Sequence, residues 1–241
     1  MDLKDWIFHR KSCRSYENRP VEEKAIEQIR LFLQKLRPLY PQIRTQAEIV
    51  GRSEVKCICP WTTHQLVALY SETTEGYLEN TGFLLQQLDL YLQSIGLGSC
   101  WLGMGKMDAR VTQTEDGLRF VILLAFGYPK GSPARSGPND FKRKSLSQIS
   151  DWEDPRLEPA RLAPSSVNSQ PWYFVHEGEA IHVYCALRGL VSKTALGSMN
   201  RIDIGIALAH LSVCNPETFH FYQTNTAPKV NQHRYIGSFS I

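Results

Sequence analysis

Apolar side chains recur along the chain with the spacing of helices that are buried against a core. The longest such pattern covers residues 76–95, where leucines and an isoleucine follow one another at intervals of three and four. Gly96 suits the left-handed position that ends a helix. The same spacing over residues 21–36, and a shorter version over residues 2–8, predicts two further helices near the N-terminus.

A second strongly apolar helix is predicted near the C-terminus, in the stretch IDIGIALAHLSVC. Asn200 precedes it and is a favoured N-cap residue, while Asp203 stands in the capping-box position three residues later. We therefore expect this helix to begin at Asn200. Superposing it on residues 81–90 brings Gly82 opposite Gly205. Any two buried helices could match this far, so the match counts only if other features divide the chain into halves.

Continuous or alternating apolar runs bounded by glycine and proline predict the strands. Residues 119–129, RFVILLAFGYP, form a continuous run that is typical of a central strand. Residues 170–185 predict a hairpin that turns at residues 176–179, after a short helix at residues 155–162. Shorter strand candidates lie at residues 47–50, 54–59, 64–71, 99–103 and 219–223, of which we expect the last to be the final strand.

Composition restricts the class of protein. The chain has 241 residues, of which 42% are hydrophobic and 21% charged, and its net charge of +3 is too small to indicate a nucleic acid or a membrane surface as partner. No signal peptide is recognisable, and no apolar run approaches the ~20 residues of a membrane span, so we expect a cytoplasmic protein. The six cysteines fit a reducing compartment. Cys57 and Cys59 lack the partners of a zinc site, so we expect no metal.

Basic residues crowd the segment just after the first predicted helix. Arg10, Lys11, Ser12 and Arg14 offer guanidinium, ammonium and hydroxyl donors, which are the groups that a phosphate monoester requires. A solvated basic turn would have the same composition, and these residues alone favour that simpler interpretation.

Glycines dominate residues 96–105, GLGSCWLGMG, where they allow the backbone to approach a planar ligand and present its N–H groups. The stretch is not a dinucleotide fingerprint, because the helix precedes the glycines, and it is not a P-loop, because no Ser or Thr follows Lys106. Ser99 lacks the G-x-S-x-G context of a nucleophile. The end of a helix before a tight strand entry is the simpler alternative.

A polar loop stiffened by proline covers residues 161–174, RLAPSSVNSQPWYF. Ser165, Ser166, Asn168 and Gln170 carry hydroxyl and amide groups that suit a polar ligand. An ordinary polar loop before a strand would explain the same composition.

Taken together, these three stretches resemble the nitroreductase family of FMN-dependent oxidoreductases. The GYP at residues 127–129 and the later FKRKSLSQI are similar to that family's closing segment, in which a basic residue helps to hold the flavin phosphate. In most members the Asn-Ser-Gln-Pro-Trp segment lies between the basic motif and the glycine-terminated helix, whereas here it follows both. The chain is therefore similar to the rearranged, single-chain nitroreductases of the TM1586 type.

The resemblance implies an α+β, nitroreductase-like fold with a central, mostly antiparallel sheet flanked by helices. Members of the family are usually two-fold dimers with each flavin at the interface. Here residues 1–150 contain the basic motif and the glycine stretch. Residues 151–241 contain the polar loop of residues 161–174, which is called the covering loop below because it would cover the flavin. We therefore expect two related halves that form a pseudo-dimer in one chain, with one flavin site between them. Further oligomerisation is not predicted.

The resemblance also implies a set of cofactor-binding residues. The basic motif would hold the FMN phosphate, with Arg143 or Lys144 closing over it, while the glycine stretch would line the isoalloxazine ring and the polar loop would cover it. The implied residues are Arg10, Lys11, Ser12, Arg14, Leu102, Gly103, Met104, Arg143, Lys144, Pro164, Ser165, Ser166 and Asn168.

The implied activity is transfer of reducing equivalents from NADH or NADPH, through FMN, to a small-molecule acceptor such as a nitroaromatic compound or a quinone, without a protein nucleophile. Three alternatives stay open. The first is an FMN-binding protein without turnover, such as a redox sensor or a flavin carrier. The second is another flavin reaction on the same fold, such as dehalogenation, and the third is a structural protein without flavin.

Overall fold

The computed structural model describes residues 2–57, 59, 61, 63–108, 112–132, 134–187 and 195–241. The helices are α1 (Lys4–Ile7), α2 (Glu23–Leu33), α3 (Tyr77–Ser94), α4 (Leu146–Ile149), α5 (Glu158–Arg161) and α6 (Ala195–Cys214). The strands are β1 (Thr45–Gly51), β2 (Val55–Lys56), β3 (Gln65–Ser71), β4 (Gly98–Leu102), β5 (Lys106–Met107), β6 (Arg119–Gly127), β7 (Trp172–Glu177), β8 (Ala180–Ala186), β9 (His220–Tyr222) and β10 (His233–Ser240).

Two four-stranded sheets contain most of the strands. The first has the order β1-β3-β6-β4 and the second the order β7-β8-β10-β9, while β2 and β5 form a small separate pair. Every pairing between named strands is antiparallel. The expected α+β class with antiparallel sheets is therefore confirmed, and its strands are divided between two sheets.

The continuous apolar run of β6 is explained by burial on both faces of the first sheet. Leu124 packs into the large core that contains α3 and α6, whereas its neighbour Leu123 packs into a smaller core on the opposite face. Successive strand residues point to opposite faces, so burial of both faces removes the polar alternation. The large core also takes in Phe174 of the second sheet.

The two long helices, α3 and α6, pack directly against each other at a pair of glycines. A Cβ atom on Gly82 would lie 2.0 Å from the carbonyl oxygen of Ile202, and one on Gly205 would lie 1.9 Å from the carbonyl oxygen of Glu79. Each glycine therefore meets the backbone of the other helix, and the contact is reciprocal. Gly82 and Gly205, which lie opposite each other when the two helical sequences are superposed, are therefore the residues that meet at this crossing.

The helix predicted over residues 76–95 is confirmed as α3. Gly96 has φ +82°, and the amide of Leu97 donates to the carbonyl oxygen of Leu92 at 2.9 Å, which closes the C-terminus. The other two N-terminal helices are shorter than predicted. Beyond α2, Lys35 and Leu36 donate to the carbonyls three residues earlier, so the predicted helix ends in a tight turn.

The predicted start of the C-terminal helix is wrong. Residues 195–214 are helical, so Asn200 lies inside α6 and caps nothing. Asn200 accepts a hydrogen bond from the Ser169 hydroxyl at 3.4 Å, and Asp203 accepts the Ser166 amide at 3.0 Å. Both polar side chains contact the covering loop. A capping-box pattern in the sequence cannot distinguish such a contact from a helix cap.

The expectation that residues 219–223 form the final strand is also wrong, because β10 follows β9 and lies between β8 and β9 in the sheet. The register of β10 shifts between Tyr235 and Gly237, so a bulge interrupts the alternation that would have marked it in the sequence. Of the strand predicted at residues 54–59, Val55–Lys56 form β2, and residue 58 lies outside the described residues.

Candidate functional site

A cavity of about 500 Å³ lies where segments from distant parts of the chain meet. Its lining is mainly apolar, with a few polar groups, as is usual for small-molecule sites. The described residues that line it are Ser12, Arg14, Cys57, Cys59, Trp61, Cys100, Trp101, Leu102, Gly103, Met104, Gly105, Ile122, Pro164, Ser165, Ser166, Val167, Met199, Ile202, Asp203 and Ile206.

The basic segment reaches the cavity because it runs beside β4. Ser12 forms a parallel bridge with Ser99, and the amide of Cys13 donates to the Ser99 carbonyl at 2.8 Å. The strand and the segment approach so closely that a Cβ atom on Gly98 would lie 2.6 Å from the Cβ of Cys13. This pairing brings Ser12 and Arg14 to the same end of the cavity as the glycine stretch.

Arg10 occupies a different position from its neighbours in the basic segment. Its side chain is 1% exposed and pairs with the buried Asp89 at 2.8 Å. It also donates to the Ser12 hydroxyl at 3.2 Å, while Asp89 accepts the Ser99 hydroxyl at 2.6 Å. Arg10 therefore lies behind the cavity wall and supports Ser12. Lys11 is exposed and does not line the cavity.

Positive charge accumulates around this end of the cavity. Arg14, Arg135 and Arg143 have no ion pair with any residue that the structure describes. Burial, together with repulsion from Arg10, Arg135 and Arg161, lowers the pKa of Arg143 to about 10. Burial and the charge of Arg10 also lower the pKa of Arg135. An anion bound here would relieve this repulsion.

The polar loop that covers the cavity has an unusual backbone. Val167, Asn168 and Gln170 have φ values of +47°, +56° and +46°. A left-handed conformation is rare for a β-branched residue, and such strain persists only where surrounding contacts enforce it. Val167 is also 80% exposed at the rim of the cavity, so it is held in a strained position without burial of its side chain.

Two of the predicted phosphate ligands provide those enforcing contacts. Arg143 donates to the Ala163 carbonyl at 3.0 Å and to the Asn168 side-chain oxygen at 2.7 Å. Lys144 donates from its backbone amide to the Gln170 side chain and from its ammonium group to the Gln170 carbonyl, both at 2.8 Å. Arg143, Lys144 and Asn168 thus hold the loop together and do not line the cavity.

Another part of the lining joins the glycine stretch to α6. Met199 lies so close to Gly103 that a Cβ atom on Gly103 would be 2.9 Å from the Met199 sulfur. The amide N–H groups of Gly103 and Met104 form no backbone hydrogen bond with the described residues, and both residues line the cavity. Met104 itself is 86% exposed at the rim.

Sequence reasoning missed the part of the lining that α6 and the segment around Trp61 contribute. Met199, Ile202 and Ile206 follow one another on α6 at intervals of three and four, a spacing that any buried helix shows, so no signal separated them from core residues. Asp203 is different, because a carboxyl group within an apolar helix is unusual. The capping-box pattern offered a wrong explanation for it.

Asp203 is the one carboxyl group among the described lining residues, and Arg14 carries the one permanent positive charge. Burial raises the pKa of the Asp203 carboxyl to about 8, although its hydrogen bonds with Ser166 and Ser169 act in the opposite direction. Desolvation disfavours the charged form, and none of the described cations forms an ion pair with this carboxyl group.

The described part of the chain contains neither a candidate metal centre nor a candidate membrane span. No group of three or more His, Cys, Asp or Glu side chains could hold a metal ion there. No helix in that part is long and apolar enough to cross a membrane.

Comparison with known proteins places the fold and the chain in a family. A family model described as "Putative TM nitroreductase" matches residues 2–215. A solved structure from Thermotoga maritima, described as "a putative nitroreductase (tm1586)", has a TM-score of 0.65 and 18% sequence identity, and the match covers 99% of this chain and 92% of that one. No curated protein matches the chain.

Other solved nitroreductases match over a smaller part of the chain. A nitroreductase family protein from Clostridium difficile 630 has a TM-score of 0.47 and 16% identity over 64% of this chain and 98% of that one. An FMN-dependent nitroreductase from Clostridium difficile R20291 has a TM-score of 0.43 and 15% identity over 58% of this chain and 92% of that one.

The antiparallel sheets around paired helices form the same fold as the Thermotoga protein. Because the family model covers nearly the whole chain, the protein belongs to the TM nitroreductase family.

Proposed function

We propose that the protein is an FMN-dependent oxidoreductase that transfers reducing equivalents from NADH or NADPH to nitroaromatic compounds, quinones or similar small acceptors. The observation that carries the proposal is the meeting of three distant sequence segments at one cavity. These are the basic segment with Ser12 and Arg14, the glycine stretch at Leu102–Met104, and the loop at Pro164–Ser166. Nitroreductase family membership supports the class of reaction.

The residues around the cavity fit FMN in both volume and charge. A mainly apolar cavity of about 500 Å³ suits a planar, largely apolar ring system. The guanidinium groups of Arg14, Arg135 and Arg143 have no carboxylate partner among the described residues, and their excess positive charge suits a phosphate dianion at that end.

The roles within this set differ from those that the sequence motif implied. Arg14 and the Ser12 hydroxyl would contact the phosphate, whereas Arg10 would orient Ser12 from behind. Arg143 and Lys144 would act through the covering loop that they hold. The backbone amides of Gly103 and Met104 would donate to the ring. Bound flavin would supply hydride and electron transfer between the nicotinamide and the acceptor.

We also propose that residues 1–150 and 151–241 form the two related halves of a pseudo-dimer, with this cavity between them. Each range contributes one four-stranded sheet and one long helix. The reciprocal contact of Gly82 and Gly205 is the kind of self-complementary contact that a two-fold axis generates. In this arrangement the first range supplies Arg14 and the second supplies Asp203 and the covering loop.

The first test is the absorption spectrum of the purified protein incubated with FMN and desalted. A retained flavin spectrum is expected, and a colourless protein would contradict the proposal. Turnover is then measured as steady NADH or NADPH oxidation with a quinone or a nitroaromatic acceptor. Binding of FMN without oxidation would instead identify a flavin carrier or redox sensor.

Removal of the guanidinium group in Arg14→Ala is expected to weaken FMN binding by about tenfold to a hundredfold, the usual loss for a charge-assisted hydrogen bond. Flavin fluorescence quenching on titration measures the affinity. Arg19→Ala is the matched control, because Arg19 has the same charge but pairs with Glu17 and stacks on Tyr128 outside the cavity lining. Equal affinities for the two variants would argue against a phosphate role for Arg14.

A further inference from the structure

The carboxyl group of Asp203 is buried in the cavity wall without a neutralising partner. Asp203 is 3% exposed, and its carboxyl group forms no ion pair with any residue that the structure describes. A charge in such a position is costly, so a residue that can ionise is not expected there without a reason.

Its contacts with the covering loop do not require an acid. Both carboxyl oxygens approach the same amide, that of Ser166, at 3.0 and 3.1 Å, and the Ser169 hydroxyl lies 3.5 Å from Oδ2. A neutral asparagine could accept one N–H equally well without the cost of desolvating a charge. The property that aspartic acid adds to this position is a proton that it can give up.

None of the described charged groups near Asp203 pairs with its carboxyl group. Arg201, on the same helix, pairs with Glu79 of α3 at 2.6 Å and is committed to that carboxylate. The covering loop contributes only neutral serines near the carboxyl group. Among the residues that the structure describes, the other titratable groups of this region are Arg14 and the thiols Cys57, Cys59 and Cys100 in the cavity lining, and the Cys185 thiol of β8.

We propose that the Asp203 carboxylic acid donates the proton that an acceptor takes up when it is reduced in this cavity. The inference rests on the oxidoreductase function proposed above. Reduction of a quinone to a hydroquinone consumes one hydride and one proton, and the hydride is the reducing equivalent that originates from NADH or NADPH. The proton leaves an Asp203 oxygen as an O–H bond of the hydroquinone forms, and a proton taken up from the solvent then restores the carboxylic acid.

The titration behaviour of the group agrees with this role. Because burial raises the pKa of Asp203 to about 8, the side chain is largely protonated at pH 7 and can still lose its proton. The acid form is lost as the pH rises through about 8, so the rate that depends on it should fall over the same range.

The experiment compares the flavin-loaded protein with Asp203→Asn, Asp203→Glu and Ser169→Ala. Asp203→Asn is expected to lower kcat for quinone reduction by about a hundredfold, within the range of general acid catalysis, with FMN affinity changed by less than about threefold. The fall of kcat above pH 8 should disappear in Asp203→Asn. Asp203→Glu should restore part of kcat, and Ser169→Ala, which removes a loop contact but keeps the acid, should retain the fall.

A second readout does not depend on turnover. Infrared difference spectra of the protein without FMN should show the carbonyl stretch of a protonated carboxylic acid that titrates near pH 8, present in Ser169→Ala and absent in Asp203→Asn. An Asp203 that is ionised at pH 7, or a kcat and pH profile unchanged in Asp203→Asn, would overturn the inference alone. A colourless protein that binds no FMN would overturn the proposed function as well, and the absorption spectrum identifies that case.

Discussion

Gly82→Ala is expected to lower the free energy of unfolding by about 3 kcal/mol, which for a chain of this size corresponds to a decrease of Tm of about 6–12 °C. The new Cβ would lie 2.0 Å from the Ile202 carbonyl oxygen, so α3 and α6 would have to separate at their crossing. Alanine favours a helix over glycine by about 1 kcal/mol, and this gain is too small to offset the lost packing.

The controls for this prediction use the symmetry of the contact. Gly205→Ala should have a similar effect, since its Cβ would lie 1.9 Å from the Glu79 carbonyl oxygen. The double variant should lose less than the sum, because both substitutions open the same interface. Gly137→Ala, which has no atom within 4 Å of its new Cβ, should change stability by less than about 0.5 kcal/mol. Denaturant unfolding measures all four, and equal stability of Gly82→Ala and Gly137→Ala would refute the close crossing.

Asp89→Ala should cost about 3–5 kcal/mol, the loss expected when a buried ion pair is broken and one charge is left without a partner. Arg10 would keep its burial and lose its carboxylate, and the Gln86 and Ser99 side chains would each lose a hydrogen bond at 3.0 and 2.6 Å. Because Arg10 supports Ser12, the affinity of Asp89→Ala for FMN should also be lower than that of the unsubstituted protein.

A double variant separates the charge from the packing in this prediction. Arg10→Met in the Asp89→Ala background removes the unpaired guanidinium and should recover part of the lost stability. Glu17→Ala removes the partner of the exposed Arg19 and should cost less than about 1 kcal/mol. Further destabilisation by Arg10→Met would show that the buried charge is not the source of the loss.

The parts of the fold that could be predicted are those where local pattern and tertiary burial agree. Helix α3 shows an apolar stripe closed by a left-handed glycine, and β6 shows a run without polar alternation because both of its faces are buried. By contrast, β10 is interrupted by a bulge near Gly237, so its sequence lacks the alternation of a regular strand. A bulge depends on the partner strand and cannot be located from one strand alone.

The sequence motifs predicted which segments form the site, but they did not predict the different roles of the residues within each motif. The sequence groups Arg10 with Arg14, and only the tertiary structure shows that Asp89 neutralises the first and leaves the second at the cavity. Asp203 was assigned to a helix cap because the loop that it contacts is more than thirty residues away in sequence. Partners so distant leave no local pattern, and this limits any prediction from a single sequence.

The lining of the cavity begins at Ser12 and ends at Ile206, and this has a consequence for synthesis on the ribosome. The basic segment and the glycine stretch of the site are synthesised early, whereas the α6 wall emerges only after the long stretch between them has been translated. Closure of so long a loop is slow, because its entropy must be lost before the contacts form. We expect a truncated chain that ends before α6 to leave this cavity open to solvent on the α6 side, so the proposed flavin should be retained only after α6 has been synthesised.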